Sequence, residues 1–268
     1  ENDIGDEGAA AIGKNSSWSK LSQLYLESNR IGDAGAIPIG SNTTWTDLAI
    51  LHLHDNEIGD KGAVALANNL TWRKLKILSL YQNYIGDKGA IAIGSNTAWL
   101  NLEELWLYEN KIGDRGATAI ANNLVWSNLK QLYLNTNEIG DEGARAIGAN
   151  TIWRGLEVLH LQENAIGDKG AVAIGNNIAW SNLKDLSLYR NRIGDEGAVS
   201  IGSNKSWGQL QELSLYENQI GDKGASALAQ NTIWRKAAKL EIQSNMCMTG
   251  EGKEELKKNI IFRSSVHV

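Results

Sequence analysis

Apolar residues return along this chain at a fixed interval of 27, and each interval contains two different local periods. In Leu21, Leu24 and Leu26 the last two leucines alternate with polar residues, the period of a short half-buried strand. Further along the interval, as in Ala9 and Ile12, small and branched apolar residues lie three apart on one face of a short helix. The unit reads W-x2-L-x2-L-x-L-x2-N-x-I-G-D-x-G-A-x-A-I-G-x-N-x2. Its Trp recurs at 18, 45, 72, 99, 126, 153, 180, 207 and 234, and its first Asn at 29, 56, 83, 110, 137, 164, 191, 218 and 245. Nine strand-plus-helix units are therefore predicted.

Each fixed polar residue has an expected task. Asn29 and its equivalents sit where the chain leaves the strand, and stacked copies should satisfy the turn backbone and each other. Asp6 and its equivalents suit the N-terminus of their own helix, capping free N–H groups. The second Asn, at 15, 42, 69 and onward, fits a left-handed position at the helix C-terminus. Small Ala and Gly residues should let each helix approach the strand layer closely. The tryptophans, all at one register, should stack in a ladder beneath the sheet edge. Pro38 replaces an Ala within the second helix and removes an N–H bond, so that helix is predicted to start late or bend.

One strand and one helix cannot bury their own apolar faces; stacking neighbours joins them into one core. Nine copies of L-x-x-L-x-L-x-x-N resemble the leucine-rich-repeat superfamily over roughly residues 1–245. The helical half, N-x-I-G-D-x-G-A-x-A-I, resembles the ribonuclease-inhibitor-like class, which includes the repeats of NOD-like receptors and Ran GTPase-activating proteins. The resemblance implies an α/β leucine-rich-repeat solenoid, a right-handed horseshoe with a parallel concave sheet and convex helices. The chain departs from that class in its uniform unit length and its Trp column, which stands where the class usually has an aliphatic residue. It also lacks the abundant cysteines of ribonuclease inhibitor. After Asn245 the pattern decays: Ala237 and Ile242 already replace leucines, Lys253 to Lys258 reads as a polar helix, and Ile260-Ile261-Phe262 as apolar cover. Residues 246–268 are predicted to form a C-terminal cap. The sequence begins in mid-pattern and shows no comparable N-terminal cap, so it reads as a fragment of something longer whose first repeat exposes an apolar end, and end-to-end self-association is expected.

Composition narrows the function. The 28 glycines are spread evenly and mostly occupy fixed columns, so they are architecture rather than linker. A net charge of −5 with no basic block argues against nucleic acid as a partner. No apolar run is long enough for a membrane span. The single Cys247, with no signal-peptide pattern, favours a reducing, cytoplasmic setting. Four Asn-x-Ser/Thr sequons, at Asn15, Asn42, Asn69 and Asn204, fall in the repeated Asn column and read as accidents of a structural residue.

Display residues emerge from comparing units within the chain. Two columns flank the last leucine of the strand. One runs Tyr25, His52, Ser79, Trp106, Tyr133, His160, Ser187, Ser214, Glu241; the next runs Glu27, His54, Tyr81, Tyr108, Asn135, Gln162, Tyr189, Tyr216, Gln243. Six of the seven tyrosines fall in them, and Tyr84 follows just after the turn. Tyr and Trp supply large, rigid contact area with a polar tip, the chemistry of interface hot spots. The predicted partner-binding residues are therefore Tyr25, His52, His54, Tyr81, Tyr84, Trp106, Tyr108, Tyr133, His160, Tyr189 and Tyr216. Asp55, Glu109, Glu163 and Glu217, with Arg190, make the rim mostly acidic. The expected function is protein or ligand recognition within a larger receptor or effector, with no catalytic residues and no cofactor. A GTPase regulator, by analogy with the Ran activator, and a structural display array are the alternatives. A metal held by His52 and His54 with Asp55 or Glu27 is a weaker reading, because His160 is four strands away, roughly 19 Å.

Overall fold

The computed structural model describes residues 2–234, 239–258 and 266–267. It divides into two compact units, Glu1–Leu132 and Tyr133–Val268. In the first, α1 (Gly5–Gly13), β1 (Gln23–Tyr25), α2 (Asp33–Gly40), β2 (Ile50–His52), α3 (Asp60–Ala67), β3 (Ile77–Ser79), α4 (Asp87–Gly94), β4 (Glu104–Trp106) and α5 (Asp114–Ala121) alternate. Strand β5 (Gln131–Tyr133) spans the boundary. The second unit continues with α6 (Asp141–Gly148), β6 (Val158–His160), α7 (Asp168–Gly175), β7 (Asp185–Ser187), α8 (Asp195–Ser203), β8 (Glu212–Ser214), α9 (Asp222–Ala229), β9 (Lys239–Glu241), α10 (Gly250–Lys258) and β10 (Val266–His267).

Strands pair in chain order and in parallel, β1 to β4 in the first unit and β6 to β10 in the second. The register is one repeat per strand: Leu24 faces Leu51, and Leu186 faces Leu213. The leucines therefore form columns, and Leu51, Leu53, Leu78 and Leu80 are wholly buried. Immediately before the Asn column, at the register of Ser28, each strand exit uses a residue with φ near +50°, as at Asp55, Gln82 and Glu109. The side chain of Asn56 satisfies this turn. Its Oδ1 accepts from the N–H groups of Asn29 (3.1 Å) and Ile31 (2.8 Å), while Nδ2 donates to Leu26 O, Leu53 O and His54 O. It bonds the backbone of two repeats rather than a neighbouring amide.

The helix ends are capped across repeats, which corrects two expectations. Asp6 leaves its own helix uncapped and accepts from Gly32 N–H (2.7 Å) and Gly35 N–H (2.8 Å) at the start of α2. Asp33, Asp60 and Asp87 repeat this toward α3, α4 and α5; Asp141, Asp168 and Asp195 do so in the second unit. The opposite end is closed from the opposite direction. Asn42 Nδ2 donates 2.8 Å to Gly13 O, the last residue of α1, and Asn42 Oδ1 accepts from Thr44 N–H. This Asn column is not left-handed; Asn204 is extended, and the positive φ values belong to the strand exits.

Asn42, Asn69 and Asn204 are buried with their amide nitrogens engaged, so these sequons occupy a structural role. The close approach that excludes a side chain is between helices rather than onto the strands. A Cβ on Gly40 would lie 2.5 Å from the Ala65 carbonyl carbon in α3. Pro38 does not delay α2, which starts at its Asp like α3 and α4.

Eight ladder tryptophans, from Trp45 to Trp234, are fully buried, whereas Trp18 is 45% exposed. Ahead of α10, Thr249 is held by Asp222, whose Oδ1 accepts from Thr249 N–H and whose Oδ2 accepts from the Thr249 hydroxyl. Strand β10 pairs with β9, Val266 opposite Leu240. Ala237 and the expected apolar cover at Ile260, Ile261 and Phe262 lie outside the described residues.

Candidate functional site

Successive strand side chains point to opposite faces. Leu24, Leu51, Leu78 and Leu105 turn inward, so their neighbours in the two display columns share the outer, polar face of the sheet. In the first unit that face carries a connected group of rings. His54 stacks on Tyr81 at 4.1 Å between centroids and Tyr81 on Tyr108 at 4.0 Å, with interplanar angles of 13° and 11°. Tyr25 meets His52 edge-on at 4.9 Å, and His52 lies 5.4 Å from His54 and 5.9 Å from Trp106. One parallel-strand register produces the stack: each ring sits one strand spacing from the next, close to the 4.7–4.9 Å of a sheet.

The two histidines are set by different neighbours. Ser79 Oγ lies 2.9 Å from His54 Nδ1, and Ser79 itself is fully buried, so the pair orients the imidazole and presents no open nucleophile. His52 Nε2 and Glu27 Oε2 are buried without hydrogen-bond partners. Burial lowers the pKa of both histidines below the ordinary 6.5, opposed by the nearby Glu27 carboxylate and, at His54, by Asp55 also. Burial thus favours the neutral form of both rings. Among the described residues, no group of three or more His, Cys, Asp and Glu is placed to hold a metal ion.

Tyr84 stands apart from this group. It is 57% exposed at the rim, with Lys111 Nζ 5.3 Å over its ring, and it lines an open hollow of about 560 Å3 with Arg30 and Asp55. Arg30 is paired with Asp3, and Ser28 Oγ with Asp55 Oδ2 at 2.6 Å.

In the second unit the predicted residues include two ring pairs. Tyr133 meets His160 edge-on at 4.9 Å, and Tyr189 stacks on Tyr216 at 4.2 Å. Burial, then the hydrogen bond with Tyr189, raises the Tyr216 phenol well above its ordinary value. On the rim, Arg190 Nη1 reaches Glu163 Oε1 at 2.7 Å and its Nε reaches Glu217 Oε2 at 2.8 Å. The acidic rim is therefore partly neutralised from within.

A third column on the same face was not among the expected display residues: Gln23, Ile50, Ile77, Glu104, Gln131, Val158, Asp185, Glu212 and Lys239. Its signal was available, because position 23 is two residues before Tyr25 and so shares its face. Burial raises the Glu104 carboxyl, with a hydrogen bond from Trp106 acting against that shift. Asp185 Oδ2 lies 2.9 Å from His160 Nε2, and Lys239 Nζ lies 3.1 Å from Glu241 Oε1.

No helix among the described residues is long and apolar enough to cross a membrane. No curated protein sequence matches the chain. Among solved structures it is similar to an internalin, InlF, from Listeria monocytogenes, with a TM-score of 0.65 and 21% identity over 94% of this chain and 68% of that one. The functional domain of Listeria monocytogenes InlJ, described as including a cysteine ladder, gives a TM-score of 0.54 and 17% identity over 90% of this chain and 46% of that one. At these identities the likeness is one of fold. The "Leucine Rich repeat" family matches at residues 1–13, 19–40, 46–67, 73–94, 100–121, 127–148, 156–175, 181–202 and 210–229. Those nine segments take up more than half of the sequence and follow the 27-residue period; the chain belongs to the leucine-rich-repeat family.

Proposed function

We propose that the protein is a binding scaffold that recognises a protein partner on the polar face of its sheet, chiefly through the ring cluster of the first unit. The observation that carries this reading is the continuous stack His54–Tyr81–Tyr108, with Trp106 alongside at 6.3 Å from Tyr81. Rings fixed by stacking lose little conformational entropy on binding, and rigid aromatic anchors dominate interface energies. Family membership supports a protein-interaction module. Tyr25 and His52 extend the ring contacts beside the stack and Tyr84 adds an exposed ring at the rim, while Tyr133, His160, Tyr189 and Tyr216 offer further rings in the other unit. Residues 246–268 act as the cap of the last repeat.

Capture from native lysate, comparing the parent with a folded Tyr81→Ala/Trp106→Ala/Tyr108→Ala variant, tests the reading; equal capture would remove it. A GTP-hydrolysis assay with small GTPases separates it from a Ran-activator-like role, for which acceleration is required. Repeat-number variants that keep the ring cluster separate it from a display array, in which length rather than the face sets activity.

A further inference from the structure

The second unit holds a cleft of about 490 Å3 on the polar face, between the Tyr189–Tyr216 stack and strands β7 to β9. Its walls are rich in carboxylate acceptors. Carboxylates come from Asp185, Glu212 and Glu241, one from each strand. Three side chains of the lining already engage these carboxylates, His160 Nε2 on Asp185, Ser214 Oγ on Glu241 at 2.9 Å, and Lys239 on Glu241 at 3.1 Å; Ser187 and the amides of Gln162 and Gln243 complete the polar walls. Lys239 reaches Glu212 only at 4.0 Å, leaving that carboxylate half-exposed and weakly paired.

Two amides add acceptors without partners. Gln162, only 7% exposed, lines the cleft with its Oε1 lacking any hydrogen-bond partner, and Gln243 Oε1 on the opposite side lacks one too. A buried acceptor without a donor costs free energy that an incoming donor recovers. With three carboxylates against one lysine, the missing donor is also favoured to be a cation.

We propose that this cleft takes an arginine side chain from a basic peptide segment of the partner. This rests on the reading that the polar face binds protein. A guanidinium fits because it presents five N–H donors in a plane and pairs with carboxylates in forked geometry. The cleft's carboxylates lie on adjacent parallel strands, so a forked donor can bridge two of them. A neutral polyol, such as a sugar, would also donate hydrogen bonds but would gain nothing from the charge.

Calorimetric titration of the full chain with the blocked peptide Ac-(Gly-Arg)3-NH2 tests the proposal. The comparisons are the same peptide with citrulline in place of arginine, and maltohexaose. Arginine peptide should bind at least about tenfold more tightly than citrulline peptide, and raised salt should weaken it. Asp185→Asn/Glu212→Gln should lose about tenfold or more with its near-ultraviolet circular dichroism unchanged. Lys239→Met, which removes the internal competing cation, should bind the peptide more tightly.

Equal binding of the arginine and citrulline peptides, preference for maltohexaose, no binding of the arginine peptide, or an unaltered Asp185→Asn/Glu212→Gln variant would each overturn the proposal. Tyr81→Ala/Trp106→Ala lies in the other unit and should leave peptide affinity unchanged. Failure of the peptide arm with partner capture still dependent on Tyr81 and Trp106 would remove the cleft alone and keep the face.

Discussion

Asp33 Oδ1 accepts a 2.7 Å hydrogen bond from Gly62 N–H, 29 residues ahead, at the start of a helix that is not its own. The same oxygen takes Gly59 N–H at 2.9 Å. Within each unit a repeat thus supplies the N-terminal cap of the next helix, and through its second Asn an N–H donor to the last carbonyl of the previous one. Helix ends leave backbone groups unsatisfied. Closing them from neighbours makes each helix depend on two adjacent repeats and couples nearest neighbours, as a one-dimensional stack requires.

Asp87→Ala should leave Gly113 and Gly116 N–H of α5 without their shared acceptor and cost about 1–2 kcal/mol in urea unfolding. Asp87→Asn keeps an oxygen in place and should cost less than half as much. Equal losses from both substitutions would show that charge, not acceptance, is what α5 requires.

Trp99 is fully buried, and its indole N–H has no hydrogen-bond partner. Trp99→Ala should destabilise by about 3–5 kcal/mol through the cavity it leaves. Trp99→Phe removes the unpaired N–H, whose burial costs ~1–3 kcal/mol, and this offsets much of the lost packing. Chemical denaturation should therefore place Trp99→Phe within about 1.5 kcal/mol of the parent. A loss as large as that of Trp99→Ala would mean that the indole N–H is bonded in solution.

Pro38 occupies a helix interior without an N–H to donate, yet α2 keeps the span of its neighbours. Every other repeat but one has Ala at this register, the exception being Ser200. Pro38→Ala should stabilise the protein by roughly 1–3 kcal/mol, read from the midpoint of unfolding. An unchanged or lowered midpoint would contradict the view that the helix pays the ordinary cost of proline.

Burial holds His52 and His54 below 6.5 in the folded chain, while the unfolded chain titrates near the ordinary value. Between the two values the unfolded state binds more protons, so stability rises with pH in that window. The contribution is fully present above about 6.5 and is lost as pH falls through the folded values. Thermal midpoints should drop on acidification through this range, and His52→Gln/His54→Gln should flatten the drop. A parallel curve in the double variant would assign the dependence to other groups.

The fold was legible because its signals are columns: Leu24, Trp45 and Asn56 each recur at one spacing, and stacking is the one arrangement that buries them all. Asp6 was misassigned because its caps lie 26 and 29 residues away, and local sequence cannot say which of two nearby helix starts a carboxylate reaches. The ring residues of the candidate site were readable from alternation about Leu24 and Leu26. The contribution of Asp185, Glu212 and Lys239 was not drawn, although the same alternation carries it one step further back along the strand. The pairing of His54 with Ser79, and of Arg190 with two glutamates, follows from side-chain placement between neighbouring strands, which the residue pattern does not contain.

Capture of the partner by the parent chain and by Tyr81→Ala/Trp106→Ala/Tyr108→Ala is the most direct test of the central claim. With the variant's fold confirmed by its circular dichroism and thermal midpoint, the account predicts a protein retained by the parent and lost, at least about thirtyfold in affinity (~2 kcal/mol), by the variant. Equal affinity for the two would contradict the polar-face ring cluster as the recognition site.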